Sequence, residues 1–170
     1  MKGENGTGKT SLLRILVGLA QPVAGEVRWR GEDVRQNGDP YRRELLYLGH
    51  HGAVKEELTP LENLQLAAGL DGGELSDAEA MAALGRFGLR GREELPVRFL
   101  SAGQKRRVLL ARLVTRKATL WILDEPFTAL DTKAVDMLSA VIGEHLAGGG
   151  MAILTSHQSV PLPDGKAVEL

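Results

Sequence analysis

The stretch from Gly3 to Thr10 constrains the fold of this chain more than any other. Its residues, Gly-Glu-Asn-Gly-Thr-Gly-Lys-Thr, match the phosphate-loop pattern G-x-x-x-x-G-K-[S/T] at every position. The glycines let successive backbone N–H groups turn toward phosphate oxygens, and a helix that begins near Lys9 adds the positive end of its dipole. We expect Lys9 to reach the β- and γ-phosphates of a nucleotide and the Thr10 hydroxyl to ligate Mg²⁺. Taken alone, the stretch also fits a glycine-rich turn that merely opens a helix.

Apolar periodicity and capping residues predict an alternation of helices and strands along the chain. The predicted helices are 10–17, 59–68, 76–87, 101–116 and 132–146, and the predicted strands are 26–29, 45–48, 120–123 and 151–155. This order is α/β, then an all-helical insert, then α/β again. We therefore expect a single α/β domain over residues 1–170, with a helical subdomain inserted at about 58–100.

The composition excludes several classes of protein. The formal net charge is -1, whereas proteins that bind nucleic acid usually carry an excess of positive charge, so no nucleic-acid partner is expected. The chain has no cysteine, which excludes a disulfide scaffold, a thiolate metal site and a cysteine nucleophile. Its longest apolar runs, such as 15–20, are far below the ~18 residues that span a bilayer. We expect any membrane association to come through a partner.

Two acids follow the apolar run 120–123. Strands of open α/β sheets carry their ligand-binding residues at the carboxyl end, where Asp124 and Glu125 stand. Asp124 would hold Mg²⁺, and Glu125 would accept a proton from the attacking water. The alternative is a pair of surface acids that cap a helix beginning at Pro126.

The stretch Leu100-Ser101-Ala102-Gly103-Gln104 has the pattern of a capping box, in which Ser101 and Gln104 cap a helix reciprocally. A capped helix N-terminus also suits an anion, and Gly103 permits close backbone approach. The stretch closely resembles the signature motif of ABC-type ATPases. In that family the motif lies on one subunit and clamps the γ-phosphate that is bound to the other.

Two further stretches resemble motifs of ABC-type ATPases, and the family's order is kept along the chain. Ala129-Leu130-Asp131 resembles the D-loop, in which Asp131 would contact the partner subunit. Thr155-Ser156-His157 resembles the strand end that carries the switch histidine. The resemblance implies a homodimer or pseudo-dimer of ATPase subunits that works with integral membrane transporter subunits. It places the chain peripherally at the cytoplasmic face of the bacterial inner membrane.

The resemblance also implies a P-loop nucleoside triphosphatase core, ATP and Mg²⁺ as cofactors, and a set of site residues. Lys9, Glu125 and His157 would be catalytic, and Thr10 and Asp124 would hold the metal. The implied nucleotide contacts are Gly3, Glu4, Asn5, Gly6, Thr7, Gly8, Lys9, Thr10 and Ser11, and the implied signature contacts in trans are Ser101, Ala102, Gly103 and Gln104.

A narrower resemblance is carried by the stretches 47–50, 57–64, 100–107 and 121–131. These are similar to the haem-exporter ATPases of bacterial cytochrome c maturation. The implied function is ATP hydrolysis that drives haem export, although the cargo would be selected by the membrane subunits. The alternatives are a soluble ABC-type ATPase of repair or translation, and a truncated remnant that does not hydrolyse ATP.

The sequence departs from the family's pattern in two places. His51 stands where the family has a glutamine that ligates Mg²⁺, and an imidazole nitrogen is a poorer magnesium ligand than an amide oxygen. The phosphate loop also begins at Gly3, so the family's preceding strands and its adenine-stacking aromatic residue are missing. We expect a chain extended upstream to bind ATP more tightly and to be more stable.

Overall fold

A computed structural model of the chain describes residues 8–36, 38–49 and 54–156. The chain divides into two compact units, one that contains the strands and one that is helical. The helices are α1 (Lys9–Leu16), α2 (Gly38–Glu44), α3 (Pro60–Leu70), α4 (Asp77–Arg86), α5 (Ala102–Thr115) and α6 (Thr132–Ala147), with a short 3-10 turn at Val97–Phe99. The strands are β1 (Arg28–Trp29), β2 (Glu32–Asp33), β3 (Leu45–Leu48), β4 (Leu120–Leu123) and β5 (Met151–Leu154).

A parallel three-stranded sheet, ordered β3-β4-β5, organises the first unit, which comprises residues 1–50, 118–126 and 145–170. Its register places Leu48 beside Leu123 and Leu123 beside Leu154. Every residue of β4 is buried, which explains why this strand reads as a continuous apolar run. The sheet and its helices confirm the predicted α/β fold, and the strands predicted at 45–48 and 120–123 have the predicted bounds.

Helix α1 packs on this sheet through Leu13, which is fully buried in a core cluster with Leu45 and Ile122. Tyr41 of α2 belongs to the same cluster, and its phenol hydroxyl donates a 2.7 Å hydrogen bond to the Leu16 carbonyl at the end of α1. Burial raises the pKa of Tyr41. The phosphate-loop helix is therefore fixed at both its face and its C-terminus.

The predicted strand 26–29 is only partly correct. The structure has the two-residue strand β1, which pairs antiparallel with β2 through a tight turn. Arg30 and Gly31 have φ angles of 52° and 87°, and two successive left-handed residues make the turn that closes a two-residue hairpin. The chain therefore reverses where the sequence pattern indicated only the end of a strand.

The second unit is helical and comprises residues 51–117 and 127–144. Thr59 and Ser76 cap α3 and α4 with complete capping boxes, as the sequence predicts. Leu64 of α3, Leu84 of α4 and Leu110 of α5 are fully buried, and these three helices pack against one another. The helical subdomain predicted at about 58–100 lies inside this unit. In the part of the chain that the structure describes, no helix is both long and apolar enough to cross a bilayer.

Candidate nucleotide and magnesium site

The end of the phosphate loop is described from Gly8 onward. Gly8 has a left-handed backbone, with φ 91° and ψ 8°, and its carbonyl accepts the first hydrogen bond of α1 from the Leu12 N–H at 2.9 Å. Gly8 has no side chain with which to cap α1, and a helix N-terminus is an environment that favours an anion. Lys9 is 7% exposed, whereas Thr10 and Ser11 are exposed. Residues 3–7 of the predicted loop lie outside the described residues.

Asp124 comes next to this helix although 114 positions separate it from Thr10. Its side chain is buried, its N–H donates to the Leu48 carbonyl at 2.9 Å, and its Oδ2 accepts a 3.0 Å hydrogen bond from the Thr10 hydroxyl. The two residues that the sequence assigns to magnesium are thus neighbours at the carboxyl edge of the sheet.

The chemistry of these donors fits Mg²⁺. A hydroxyl and a carboxylate are hard oxygen ligands, and magnesium is held in proteins by few such ligands, with water and substrate phosphates completing its shell. Within the described ranges, no group of three or more His, Cys, Asp or Glu residues could hold a metal ion by itself. The two oxygen ligands would therefore need the phosphates of a nucleotide to complete the magnesium site.

The field of Asp124 acts on a neighbouring phenol. Tyr47 lies on β3, and its pKa is raised by burial and, to a smaller extent, by the Asp124 carboxylate. A Cβ added at Gly49 would lie 3.1 Å from the Tyr47 hydroxyl oxygen. A side chain at position 49 would therefore crowd the Tyr47 hydroxyl, and Tyr47 stays neutral beside the acid.

Glu125 is half-buried and has a left-handed backbone, with φ 51°. This conformation costs a residue with a Cβ about 1–3 kcal/mol and occurs where the surrounding structure imposes it. The Glu125 N–H donates to the Thr155 hydroxyl at 2.9 Å. Residues 126–129 form a turn, so the structure does not show the helix at Pro126 that the alternative interpretation required.

Thr155 is the site residue that sequence reasoning missed. Its side chain is fully buried, and its hydroxyl donates a 2.6 Å hydrogen bond to Oδ1 of Asp124. The sequence predicted a strand over 151–155 with Thr155 as its last residue, whereas β5 ends at Leu154 and Thr155 follows it at the carboxyl edge of the sheet. In the sequence, Thr155 stood out only as the start of the stretch that leads to His157, which lies outside the described residues, as does His51.

The signature stretch belongs to the second unit. Ser101 caps α5, its Oγ accepts from the Gln104 N–H at 3.2 Å, and its own N–H donates to Gln104 Oε1 at 2.9 Å. Ser101 and Ala102 are exposed. A Cβ at Gly103 would lie 3.2 Å from the Ala129 carbonyl oxygen, so the close approach that Gly103 permits is to the predicted D-loop.

Asp131 also lies in the second unit and is exposed. Its Oδ1 accepts a 2.8 Å hydrogen bond from the Ala134 N–H in the first turn of α6. Ala129, two residues before it, has a left-handed backbone with φ 62°. The structure therefore gives Asp131 a capping contact within its own chain, in addition to the partner contact that the sequence predicts.

Comparisons with known proteins found a matching family model and several relatives. Residues 1–128 match the family model described as ABC transporter. The chain is 58% identical over 170 residues to the cytochrome c biogenesis ATP-binding export protein CcmA of Dechloromonas aromatica, covering 100% of this chain and 83% of that protein. It is 51% identical over 161 residues to the protein of the same name from Haemophilus influenzae, covering 95% and 76%.

Solved structures resemble it as well. One described as an ATP binding subunit of an ABC transporter is 32% identical with a TM-score of 0.77, and the match covers 91% of this chain and 65% of that one. A putative ABC transporter ATP-binding protein from Pyrococcus furiosus is 27% identical with a TM-score of 0.81, covering 94% and 78%.

Proposed function

The chain belongs to the ABC transporter family of ATP-binding proteins, and from that membership we propose that it hydrolyses ATP to drive export in cytochrome c biogenesis. The relatives' names support an export role, and the exported cargo that the sequence resemblance implies is haem. The observation that carries the proposal is the contact of Thr10 with Asp124, directly before Glu125 on the same strand end. It joins the phosphate-loop helix to the two acids that phosphoryl transfer needs.

The proposed mechanism is mainly electrostatic. The Lys9 ammonium and the N-terminus of α1 would bind and orient the phosphates of ATP. Thr10 and Asp124 would hold Mg²⁺, which supplies neutralisation of the charge on the phosphate oxygens. Glu125 would accept the proton of the attacking water, and its fixed backbone keeps the carboxylate near the edge of the sheet. His157 would sense the γ-phosphate.

We further propose that the site is completed by a second ATPase subunit, in a head-to-tail homodimer or pseudo-dimer. Ser101, Ala102, Gly103 and Gln104 of one subunit would face the nucleotide of the other, and Asp131 would contact the partner subunit. The exposure of Ser101 and Ala102 supports this role. Integral membrane subunits would hold the dimer at the cytoplasmic face of the bacterial inner membrane, and His51 would stand on the segment that reports to them.

A bacterium that lacks its own ATPase of cytochrome c biogenesis provides the test. Expression of this chain should restore haem-stained c-type cytochromes in membranes, whereas the Glu125→Gln variant should not. Phosphate release by the purified protein with Mg-ATP is measured in parallel. Hydrolysis without restored cytochromes would favour a soluble ATPase of repair or translation, and the absence of both would favour a remnant without turnover.

A further inference from the structure

We propose that Thr155 is a positioning residue of this site, and that its one buried hydroxyl holds both acids in place. The proposal rests on the proposed function. Its Oγ1 donates to Oδ1 of Asp124 at 2.6 Å and accepts the backbone N–H of Glu125 at 2.9 Å. The side chain has no solvent exposure, so water does not compete for either hydrogen bond.

The sheet places this hydroxyl with little freedom. Leu123 of β4 is the register partner of Leu154 of β5, so the residues that follow the two parallel strands, Asp124 and Thr155, leave the sheet side by side. The Thr155 N–H donates to the Leu123 carbonyl at 3.1 Å, which continues the ladder by one bond. Because threonine is branched at Cβ, its side chain is stiff about χ1.

For Asp124 the consequence is a fixed carboxylate plane. Rotation about the last torsion of an aspartate is soft, so a single hydrogen bond does not define where both oxygens lie. Here Oδ1 is held by Thr155 and Oδ2 meets the Thr10 hydroxyl at 3.0 Å. Thr155 therefore turns Oδ2 toward the phosphate-loop helix, where a magnesium ligand is needed.

For Glu125 the consequence is a backbone that can stay in a disfavoured region. A φ of 51° is uncommon for a residue with a Cβ, and it sets the direction in which the Glu125 side chain leaves the backbone. The hydrogen bond from its N–H to Thr155 stabilises this turn. One hydroxyl thus orients the candidate metal ligand and the candidate base together.

The test compares Thr155→Val, which keeps the shape and removes the hydroxyl, with Thr155→Ser, which restores the hydroxyl. Thr155→Val should lower kcat roughly 10–100-fold, because small misplacements of catalytic groups cost that much. The KM for ATP should change by less than about threefold, since the ground-state phosphate contacts remain. Thr155→Ser should keep most of the activity. Thr115→Val, at a hydroxyl in α5, is the matched control and should leave activity unchanged.

Three outcomes would each overturn the proposal. In the first, Thr155→Val raises KM as much as it lowers kcat. In the others, Thr155→Val keeps full activity, or Thr155→Ser loses as much activity as Thr155→Val. A second measurement does not depend on turnover: hydrogen exchange of the Glu125 amide by NMR. In wild type this amide should be protected, and in Thr155→Val it should exchange at least about tenfold faster. If wild type hydrolyses no ATP, the proposed function fails and the exchange rates still decide the role of Thr155. If Thr155→Val does not fold, an unprotected Glu125 amide in wild type overturns the proposal.

Discussion

Glu125 combines a constrained backbone with the proposed role of a base, and its replacement by glutamine separates the two. Glu125→Gln keeps the size and the backbone contact with Thr155 but cannot accept a proton, so turnover should fall by roughly 10²–10⁴-fold. Binding of Mg-ATP should persist, because Asp124 and Lys9 are unchanged. Phosphate release and calorimetric titration measure the two quantities. Unchanged hydrolysis would show that another group is the base.

Lys9 is the residue whose loss should weaken nucleotide binding itself. It is almost fully buried at the first position of α1, where truncation of a buried charge that pairs with phosphate costs about 2 kcal/mol or more, a roughly 30-fold loss of affinity. Lys9→Ala is measured by calorimetric titration with ATP. Lys117→Ala is the control, since Lys117 is exposed and lies in the other unit. Equal affinity of the two variants would contradict the assignment.

At the scale of residues, the sequence indicated the charged members of the site and missed a neutral one. Asp124 and Glu125 follow an apolar strand, and the phosphate-loop pattern names Lys9 and Thr10, so the local sequence pattern was sufficient to nominate these four as candidates. The role of Thr155 depends on the register of β4 and β5, which pairs Leu123 with Leu154. A single sequence does not specify that register, and so the hydrogen bond of Thr155 with Asp124 could not be predicted.

Among the secondary-structure elements, α6 and β5 are joined by a closely packed turn. The His145 ring stacks on the Trp121 indole, with centroids 3.7 Å apart and an interplanar angle of 2°, and its Nε2 lies 3.2 Å from the Met151 carbonyl oxygen. A Cβ at Gly150 would overlap that ring. A side chain at position 150 would therefore require the His145 ring to move.

Gly150→Ala should displace His145 from Trp121 and lower the free energy of unfolding by about 1–3 kcal/mol, as overpacking does. In a chain of this length the melting temperature should fall by roughly 2–4 °C for each kcal/mol. Gly143→Ala is the control, because a Cβ at this position in α6 meets no atom within 4 Å and alanine favours helix by about 1 kcal/mol. A Gly150→Ala melt equal to that of Gly143→Ala would contradict the packing argument.

The elements differed in how well the sequence predicted them. Strands β3 and β4 were predicted with their bounds because burial on both faces makes them apolar throughout. Helix α2 was missed, since Gly38-Asp39-Pro40 reads as a turn and the helix depends on Tyr41 packing into the core beside α1. Helix α2 is stabilised by contacts with residues far away in the sequence, and helix propensity, which is a local property, does not indicate such contacts.

At the scale of the whole molecule, the proposed site needs two copies of the chain. Lys9 belongs to the first unit and Ser101 to the second. In the proposed dimer, each site combines Lys9 of one subunit with Ser101 of the other. Damage to either residue should therefore silence both sites of a dimer that is made of identical variants. A mixture of two variants behaves differently, and this difference tests the arrangement.

We expect Lys9→Ala and Ser101→Arg proteins, each inactive alone, to recover ATPase activity when they are mixed. The mixed dimer has one site with both defects and one site with neither, because the intact Lys9 of one subunit meets the intact Ser101 of the other. Random pairing makes half of the dimers mixed, so activity should reach roughly a quarter of wild type when the sites are independent. The control mixes Lys9→Ala with the Lys9→Ala/Ser101→Arg double variant, which leaves no intact site in any dimer. If light scattering shows dimers with Mg-ATP and the first mixture stays as inactive as the control, Ser101 does not act across the dimer.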